Sequence, residues 1–176
     1  MTGLSGAGKT TIATRTAEML RELSYTVEVI DGDEYRRGLC SDLGFSKEDR
    51  NENIRRLSFV GKVLSRNDVV AIISAINPYA EVRQEIRNGI PNSALVYVNA
   101  TIEEVIHRDT KGLYKKALLP DDNPEKINNF TGISDPYEEP ASPELILDTC
   151  SETPEESSRK LCKFIIDTIE ENTNEK

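Results

Sequence analysis

Hydrophobic and polar positions follow two alternating patterns along the chain. Short apolar runs rich in β-branched residues predict buried strands at residues 26–30, 69–76, 95–98 and 145–147. Between them, apolar residues at helical spacing predict helices at residues 10–23, 47–66, 80–88, 102–108 and 154–171. Strands that alternate with helices and are apolar along their length indicate a parallel sheet with helices on both faces. We therefore expect a three-layer α/β fold in a single domain of residues 1–176.

One segment departs from this alternation. Residues 111–143 are rich in Pro, Asp, Asn and Gly and show no clear periodicity. A stretch of that length inside a compact domain is typical of a functional loop or a disordered segment. We expect a lid over the active site, within about residues 108–143, and a solvated surface excursion is the alternative.

Charge and hydropathy narrow the classes of partner. The chain carries 31 acidic and 22 basic side chains, for a formal net charge of −9. Eleven acidic residues but only one basic residue, Lys126, fall within residues 120–156, and the basic residues elsewhere form short clusters suited to small anions. A general nucleic-acid binder would show a broad basic face, and a membrane span would need about 18 consecutive apolar residues. We expect neither a nucleic-acid partner nor a membrane.

The cysteines and the start of the sequence bear on location. Cys40, Cys150 and Cys162 are an odd number at unrelated spacings, which fits neither a disulfide framework nor a CxxC metal site. The first residues show no basic region followed by an apolar stretch, as a secretory signal would. A cytoplasmic location is therefore expected.

The strongest motif lies at residues 3–10, where GLSGAGKT matches GxxxxGK[ST] at every fixed position. In this motif, backbone N–H groups at the start of a helix surround phosphate oxygens, the lysine reaches the β- and γ-phosphates, and the final hydroxyl binds Mg²⁺. We expect Lys9 to be catalytic and Thr10 to be the Mg²⁺ ligand. The residues expected to bind ATP are Gly3, Leu4, Ser5, Gly6, Ala7, Gly8, Lys9, Thr10 and Thr11.

The surroundings of this motif are unusual. It normally follows a buried strand, and here only Met1 and Thr2 precede it. We expect the first strand of the sheet to be missing before residue 1 and the natural chain to be longer at its N-terminus. The alternative is that another segment takes the place of that strand.

Two carboxylates follow the first predicted strand. Asp31 and Asp33 come directly after residues 26–30, and ligands of parallel α/β sheets bind at the carboxyl ends of the strands. One carboxylate can accept a proton from an attacking hydroxyl while the other orients the water shell of a metal ion. An ordinary Asp-Gly turn is the alternative.

Further motifs extend across nearly the whole chain. They are DGDEYR (31–36), LGFSKEDRNENIRR (43–56), NPY (77–79), RDTKGLYKKA (108–117) and FTGISDPYEEP (130–140). In this order, and together with GLSGAGKTT, they resemble the adenylylsulfate kinase family. The resemblance implies a P-loop kinase fold that uses ATP and Mg²⁺. It also implies transfer of the γ-phosphate to the 3′-hydroxyl of adenosine 5′-phosphosulfate (APS), giving 3′-phosphoadenylyl sulfate and ADP in sulfate assimilation.

The resemblance also implies roles for individual residues. Asp33 would be the base for the hydroxyl and would hold the substrate with Arg36. Phe45 would stack on the adenine of APS, while Arg50 and Asn53 would bind its phosphosulfate region. The other implied contacts are Ile76 and Asn77 in the substrate pocket, Lys111 (also catalytic) and Phe130 at the lid, and Arg108 against the ATP adenine.

Two of these residues keep a structural alternative. Phe45 precedes a Ser-Lys-Glu-Asp helix start and could be a core residue packed against that helix. Lys111 lies in a run of basic residues, and such a run is usually solvated.

The chain departs from the family pattern at two places. The family usually carries serine before Pro-Tyr, where this chain has Asn77; an amide forms no stable phosphate ester, so we expect direct transfer from ATP to APS. Residues 118–126 (LLPDDNPEK) replace a short basic connector, which would alter lid dynamics or substrate affinity. The alternatives are a related kinase for another small hydroxyl compound and an inactive nucleotide-binding homologue. The apolar residues within 57–64 are a candidate surface for a homodimer, and an ATP sulfurylase is a candidate partner protein.

Overall fold

Helices and strands alternate through residues 1–174, the part of the chain that this computed structural model describes. The strands are β1 (Val27–Asp31), β2 (Val70–Ser74), β3 (Val96–Asn99) and β4 (Leu145–Asp148). The helices are α1 (Lys9–Glu22), α2 (Gly32–Tyr35), α3 (Lys47–Ser65), α4 (Ala80–Gly89), α5 (Ile102–Arg108), α6 (Leu113–Ala117) and α7 (Pro154–Asn174). Every predicted strand and helix is present, with ends shifted by three residues at most.

The sheet consists of two parallel strand pairs joined by the start of the chain. In β1 and β2, Val27 lies opposite Val70, and in β3 and β4, Val96 lies opposite Leu145. Between the pairs, the Thr2 amide donates to the Val96 carbonyl (2.8 Å) and the Thr2 carbonyl accepts from the Val98 amide (2.9 Å). These bonds form an isolated bridge rather than a full strand.

Beyond this bridge, an apolar groove of about 750 Å³ separates β2 from β3. Its sides include Ile73 of β2 and Val96 of β3, while α3 contributes Ile54 and α7 contributes Phe164. The Met1 amine donates to the Ile73 carbonyl at one end of the groove (2.7 Å). The strand expected before residue 1 stays a prediction.

Helices cover both faces of the sheet because its strands are apolar on both faces. Val27 of β1 and Ile72 of β2 pack with Ala17 of α1 and Cys162 of α7. On the opposite face, Ile30 of β1 packs with Ile54 and Leu57 of α3 and with Val82 of α4. The predicted three-layer α/β fold is therefore confirmed, with α1 and α7 on one side and α3 and α4 on the other.

Two short helices are absent from the sequence prediction. The first, α2, is one turn long and is capped by the Asp31 carboxylate, which accepts from the Asp33 and Glu34 amides. The second, α6, lies inside the segment of residues 111–143, whose sequence shows no clear periodicity. The Asp109 carboxylate accepts from the Tyr114 and Lys115 amides at its start (3.0 and 2.9 Å). Neither helix is long enough to show a hydrophobic period.

None of the helices in residues 1–174 combines the length and the apolar character that crossing a membrane requires.

Candidate active site

The phosphate-loop motif forms a tight turn that leads into α1. Gly8 precedes the helix at φ 100°, in the left-handed region that favours glycine. At Gly3, a Cβ atom would lie 2.3 Å from the Val98 carbonyl oxygen, so any side chain would collide with β3. These contacts place the loop at the carboxyl ends of the strands, where ligands of such sheets bind.

Lys9 is buried at the centre of this loop. Its ammonium group donates to the Gly3 and Leu4 carbonyls (2.8 and 2.7 Å). Burial lowers the pKa of Lys9 to about 8; the negative charges of Asp33 and Asp31 counteract this effect, and the Lys111 ammonium adds to it. Lys9, Asp33 and Lys111, which were predicted as catalytic from separate motifs, therefore interact at one site.

Three side-chain oxygens from separate elements meet beside Lys9. The Thr10 hydroxyl donates to Asp31 Oδ2 at 2.8 Å and lies 3.4 Å from the Ser74 hydroxyl. Ser74 was not identified from the sequence, although it ends β2 directly opposite Asp31. Oxygen donors of this kind suit Mg²⁺, which usually takes one or two protein ligands together with water and phosphate oxygens. No group of three or more His, Cys, Asp or Glu residues forms a metal cluster within residues 1–174.

Asp33 and Lys111 form an ion pair across the mouth of the site. The Lys111 ammonium donates to Asp33 Oδ2 at 2.5 Å, and both side chains are more than half exposed. An exposed pair of this kind contributes only about 0–1 kcal/mol, so an incoming phosphate can replace it at little cost. Lys111 thus has a specific partner rather than full solvation.

Phe45 presents an exposed aromatic ring between two arginines. Phe45 is 61% exposed, which rules out the alternative that it is a core residue. The guanidinium of Arg36 lies 4.8 Å from the ring centroid, and that of Arg50 lies 5.6 Å from it. Arg36 also donates to the Gly44 carbonyl (2.9 Å). Burial, and then the neighbouring Arg50, lower the pKa of Arg36.

Arg50 and Asn53 lie buried on the first turns of α3. Ser46 caps the start of this helix, and its hydroxyl accepts from the Asp49 amide (3.1 Å). The Arg50 Nε donates to the Phe45 carbonyl (3.1 Å), and its Nη2 donates to the Asn129 carbonyl (2.6 Å). Arg50 therefore connects the start of α3 to the segment before Phe130.

Two buried side-chain oxygens in the predicted substrate pocket have no hydrogen-bond partner within the described residues: Asn53 Oδ1 and Asn77 Oδ1. An unpaired buried polar atom costs about 1–3 kcal/mol, and most such atoms in native proteins are paired. Asn77 also adopts φ 47°, a left-handed conformation that asparagine tolerates. Both oxygens lack a partner within residues 1–174, and each would have to turn toward a ligand to accept a bond from it, because almost none of its surface is accessible.

The backbone of Ile76 and Asn77 contacts the start of the phosphate loop. The Ile76 carbonyl accepts from the Gly3 amide (3.2 Å) and from the Thr2 hydroxyl (2.8 Å). The Asn77 carbonyl accepts from Arg83 (2.7 Å). The predicted substrate pocket and the ATP loop are therefore adjacent in the structure.

Phe130 is buried, and its ring meets that of Tyr114 edge to face at 4.9 Å. The Tyr114 hydroxyl donates to the Ser5 carbonyl (3.0 Å), which joins α6 to the phosphate loop. The lid prediction placed Phe130 against the substrate. In the structure its ring belongs to the core beneath that segment.

Arg108 is linked to the phosphate loop by hydrogen bonds through Thr149. Thr149 was not among the residues predicted from the sequence. The Arg108 Nη1 donates to the Thr149 hydroxyl (3.1 Å), which in turn donates to the Ala7 carbonyl (3.0 Å). Thr149 directly follows β4, so the rule that ligands bind at strand ends could have identified it.

Comparison with known proteins gives consistent matches. A family model described as adenylylsulphate kinase matches residues 1–148. An adenylyl-sulfate kinase from Halothermothrix orenii is 51% identical over 164 residues, which is 93% of this chain and 86% of the relative. The Mycobacterium tuberculosis APS kinase CysC, solved in complex with AMPPNP and APS, matches with a TM-score of 0.85 and 37% identity, covering 96% of this chain and 94% of that one. A hexameric APS kinase from Thiobacillus denitrificans matches with a TM-score of 0.66 and 31% identity, covering 97% of this chain and 28% of that one.

Proposed function

This chain belongs to the adenylylsulfate kinase family, and we propose that it transfers the γ-phosphate of ATP to the 3′-hydroxyl of APS at the site around Lys9. The observation that carries the proposal is the meeting of Lys9, Asp33 and Lys111 at the carboxyl end of the sheet. These residues supply a phosphate-binding cation, a proton acceptor and a second cation. They are the groups that phosphoryl transfer to an alcohol requires.

The loop of residues 3–11 binds the phosphates of ATP. Its backbone N–H groups and the start of α1 attract the anion, and Lys9 exchanges its two carbonyl partners for phosphate oxygens. Arg108 and Thr149, which contact the loop from the side of β4, lie against the adenine.

Mg²⁺ fits beside this loop. Thr10 would hold the ion directly, and Asp31 and Ser74 would orient its water ligands, because their oxygens already surround the Thr10 hydroxyl. When bound, the ion would neutralise charge on the β- and γ-phosphates.

APS binds on the opposite side of Asp33. Phe45 stacks on the adenine of APS. The exposed Phe45 ring lies next to the guanidinium groups of Arg36 and Arg50, and these groups also attract the phosphosulfate of APS. Asn53 and Asn77 line the nucleotide pocket, and their buried, unpaired oxygens accept bonds from the nucleotide once these side chains turn toward it. The lid, about residues 108–143, covers the site and contributes Lys111 and the segment of Phe130.

Asp33 accepts the proton of the 3′-hydroxyl as the oxygen attacks the γ-phosphorus. Its pair with Lys111 opens first, which frees the carboxylate for the proton and the ammonium for the transferred phosphate. Transfer is direct, because the amide of Asn77 cannot carry a phosphoryl group.

An assay of ATP-dependent APS phosphorylation tests the role of Asp33. Asp33→Asn should lower kcat by roughly 10²–10⁴-fold and leave ATP affinity nearly intact. Glu34→Gln is the matched control, because it removes an exposed carboxylate from the same turn of α2. An unchanged rate in Asp33→Asn would remove this residue from the role of base. ATP binding by the wild type without any phosphorylated product would favour an inactive homologue, and turnover only with another alcohol would favour a different acceptor.

Association with other proteins also belongs to this proposal. Within residues 57–64, Leu57 belongs to the core, but Phe59 and Val63 are exposed and offer apolar surface to a second copy of the chain. The homodimer, an association with an ATP sulfurylase and a cytoplasmic location all stay predictions.

A further inference from the structure

The carboxylate of Asp135 links two residues on the APS side of the site. Its Oδ2 accepts a hydrogen bond from the Tyr79 hydroxyl (2.8 Å) and lies 3.7 Å from Arg50 Nε. We propose that Asp135 is a positioning residue that holds Arg50 and the turn after Phe130 in place for APS. The proposal deepens the proposed function and rests on it.

Asp135 closes the turn that carries Phe130. Its amide donates to the Phe130 carbonyl (3.1 Å), and its carbonyl accepts from the Gly132 amide (2.7 Å). The Ser134 hydroxyl accepts from the Phe130 amide (3.0 Å). These hydrogen bonds hold residues 130–135 together as one turn. Contacts of the Asp135 carboxylate therefore fix the position of the whole turn.

Arg50 needs a fixed counter-charge because it is buried. Only 8% of the residue is exposed, and its guanidinium donates hydrogen bonds to the uncharged carbonyls of Phe45 and Asn129. A buried cation without a carboxylate nearby is costly. Asp135 supplies that charge from the lid side, so pairing with it keeps the guanidinium next to the Phe45 ring.

Tyr79, which directly precedes α4, extends the same connection to the segment that follows β2. It is 2% exposed and follows Asn77 and Pro78, so its hydroxyl has a fixed position. By accepting from it, Asp135 ties together the start of α3, the Asn77 segment and the lid turn. Each of these three parts carries residues proposed to contact APS.

The Asp135 carboxylate bonds to Tyr79 and pairs with Arg50, and the turn that it closes reaches the ATP loop only indirectly, through the ring of Phe130 on Tyr114. The loop is connected to the rest of the protein by the Tyr114 hydroxyl at Ser5 and by the Thr149 hydroxyl at Ala7. Because neither of these two bonds involves Asp135, a change at Asp135 should alter the response to APS much more than the response to ATP, whereas a general loss of stability would alter both.

Steady-state kinetics of Asp135→Asn test this inference. The substitution keeps the shape and removes the charge, so the KM for APS should rise roughly 10- to 100-fold, the range expected for a charged hydrogen-bonded contact, while the KM for ATP changes less than about twofold. Tyr79→Phe removes one bond to the same carboxylate and should raise the KM for APS by a smaller factor. Asp121→Asn is the matched control, since it replaces an almost fully exposed lid carboxylate that pairs with Lys126.

An unchanged KM for APS in Asp135→Asn would overturn the inference, and so would a parallel rise in both KM values with a lowered Tm. Amide hydrogen exchange gives a second readout that does not depend on turnover. Exchange in residues 129–135 and 45–50 should quicken together in Asp135→Asn, and unchanged exchange in both segments would also overturn the inference. If the wild type fails to phosphorylate APS, the proposed function fails on its own, and the exchange experiment still decides whether Asp135 couples these segments.

Discussion

The charge of Lys9 makes ATP binding dependent on pH. Burial lowers its pKa from 10.5 to about 8 in the free protein. Bound phosphates favour the charged ammonium and raise that pKa again. A molecule whose Lys9 is neutral must therefore take up a proton when it binds ATP.

The size of the effect follows from the pKa. At pH 8 about half of the free molecules have a neutral Lys9, so ATP should bind with an uptake of about 0.5 proton, rising to about 0.9 at pH 9 and falling to about 0.1 at pH 7. Above pH 8 the Kd for ATP should increase toward tenfold per pH unit.

The same pKa also affects stability. Because the folded pKa lies below that of the unfolded chain, the charged lysine opposes folding by about 3 kcal/mol at pH values below 8. That penalty should fade as the pH rises from about 8 toward 10.5.

Isothermal titration calorimetry with AMPPNP, in two buffers that differ in ionisation enthalpy, measures the proton uptake directly. Lys9→Arg should abolish the uptake, because arginine stays charged over this range. Lys111→Gln should retain it at higher pH, because it removes a charge that lowers the Lys9 pKa. Proton uptake of zero between pH 8 and 9, with a constant Kd, would refute the reasoning.

Two further predictions concern the surroundings of the loop. Gly3→Ala should destabilise the protein by about 1–3 kcal/mol and abolish turnover, because its Cβ would lie 2.3 Å from the Val98 carbonyl oxygen. Urea unfolding measures the loss of stability, and Gly38→Ala is the control because its Cβ would meet nothing within 4 Å. Thr149→Val should raise the KM for ATP about 2- to 10-fold, because the hydrogen bond to the Ala7 carbonyl is lost. Thr149→Ser keeps the hydroxyl and should restore the wild-type KM. Equal KM values in the wild type and both variants would exclude a role of Thr149 in ATP binding.

Much of the fold could be predicted because its strands are apolar on both faces. The runs around Ile30 and Ile72 pack against helices on both sides of the sheet, so their burial is visible as an uninterrupted apolar segment. The turn of α2 depends instead on a single capping carboxylate, Asp31. A feature made by one hydrogen-bonded side chain leaves no periodic trace in the sequence.

The site divides in the same way. Lys9 and Asp33 belong to local motifs with a chemical logic of their own, and they could be identified directly. Ser74 and Asp135 could not, because each acts through a partner far away in the sequence, as when Ser74 meets Thr10. Such pairs are defined only once the strands have been placed side by side.

The apolar groove between β2 and β3 has a practical consequence for measuring stability. Solvatochromic dyes fluoresce on contact with exposed hydrocarbon, and in residues 1–174 this groove offers them about 750 Å³ while the fold is intact. A dye-based thermal shift assay should therefore start from a high background fluorescence. Its signal should report the release of dye from the groove as well as the unfolding of the protein. Circular dichroism, which follows the backbone itself, is the better way to rank variants of this chain.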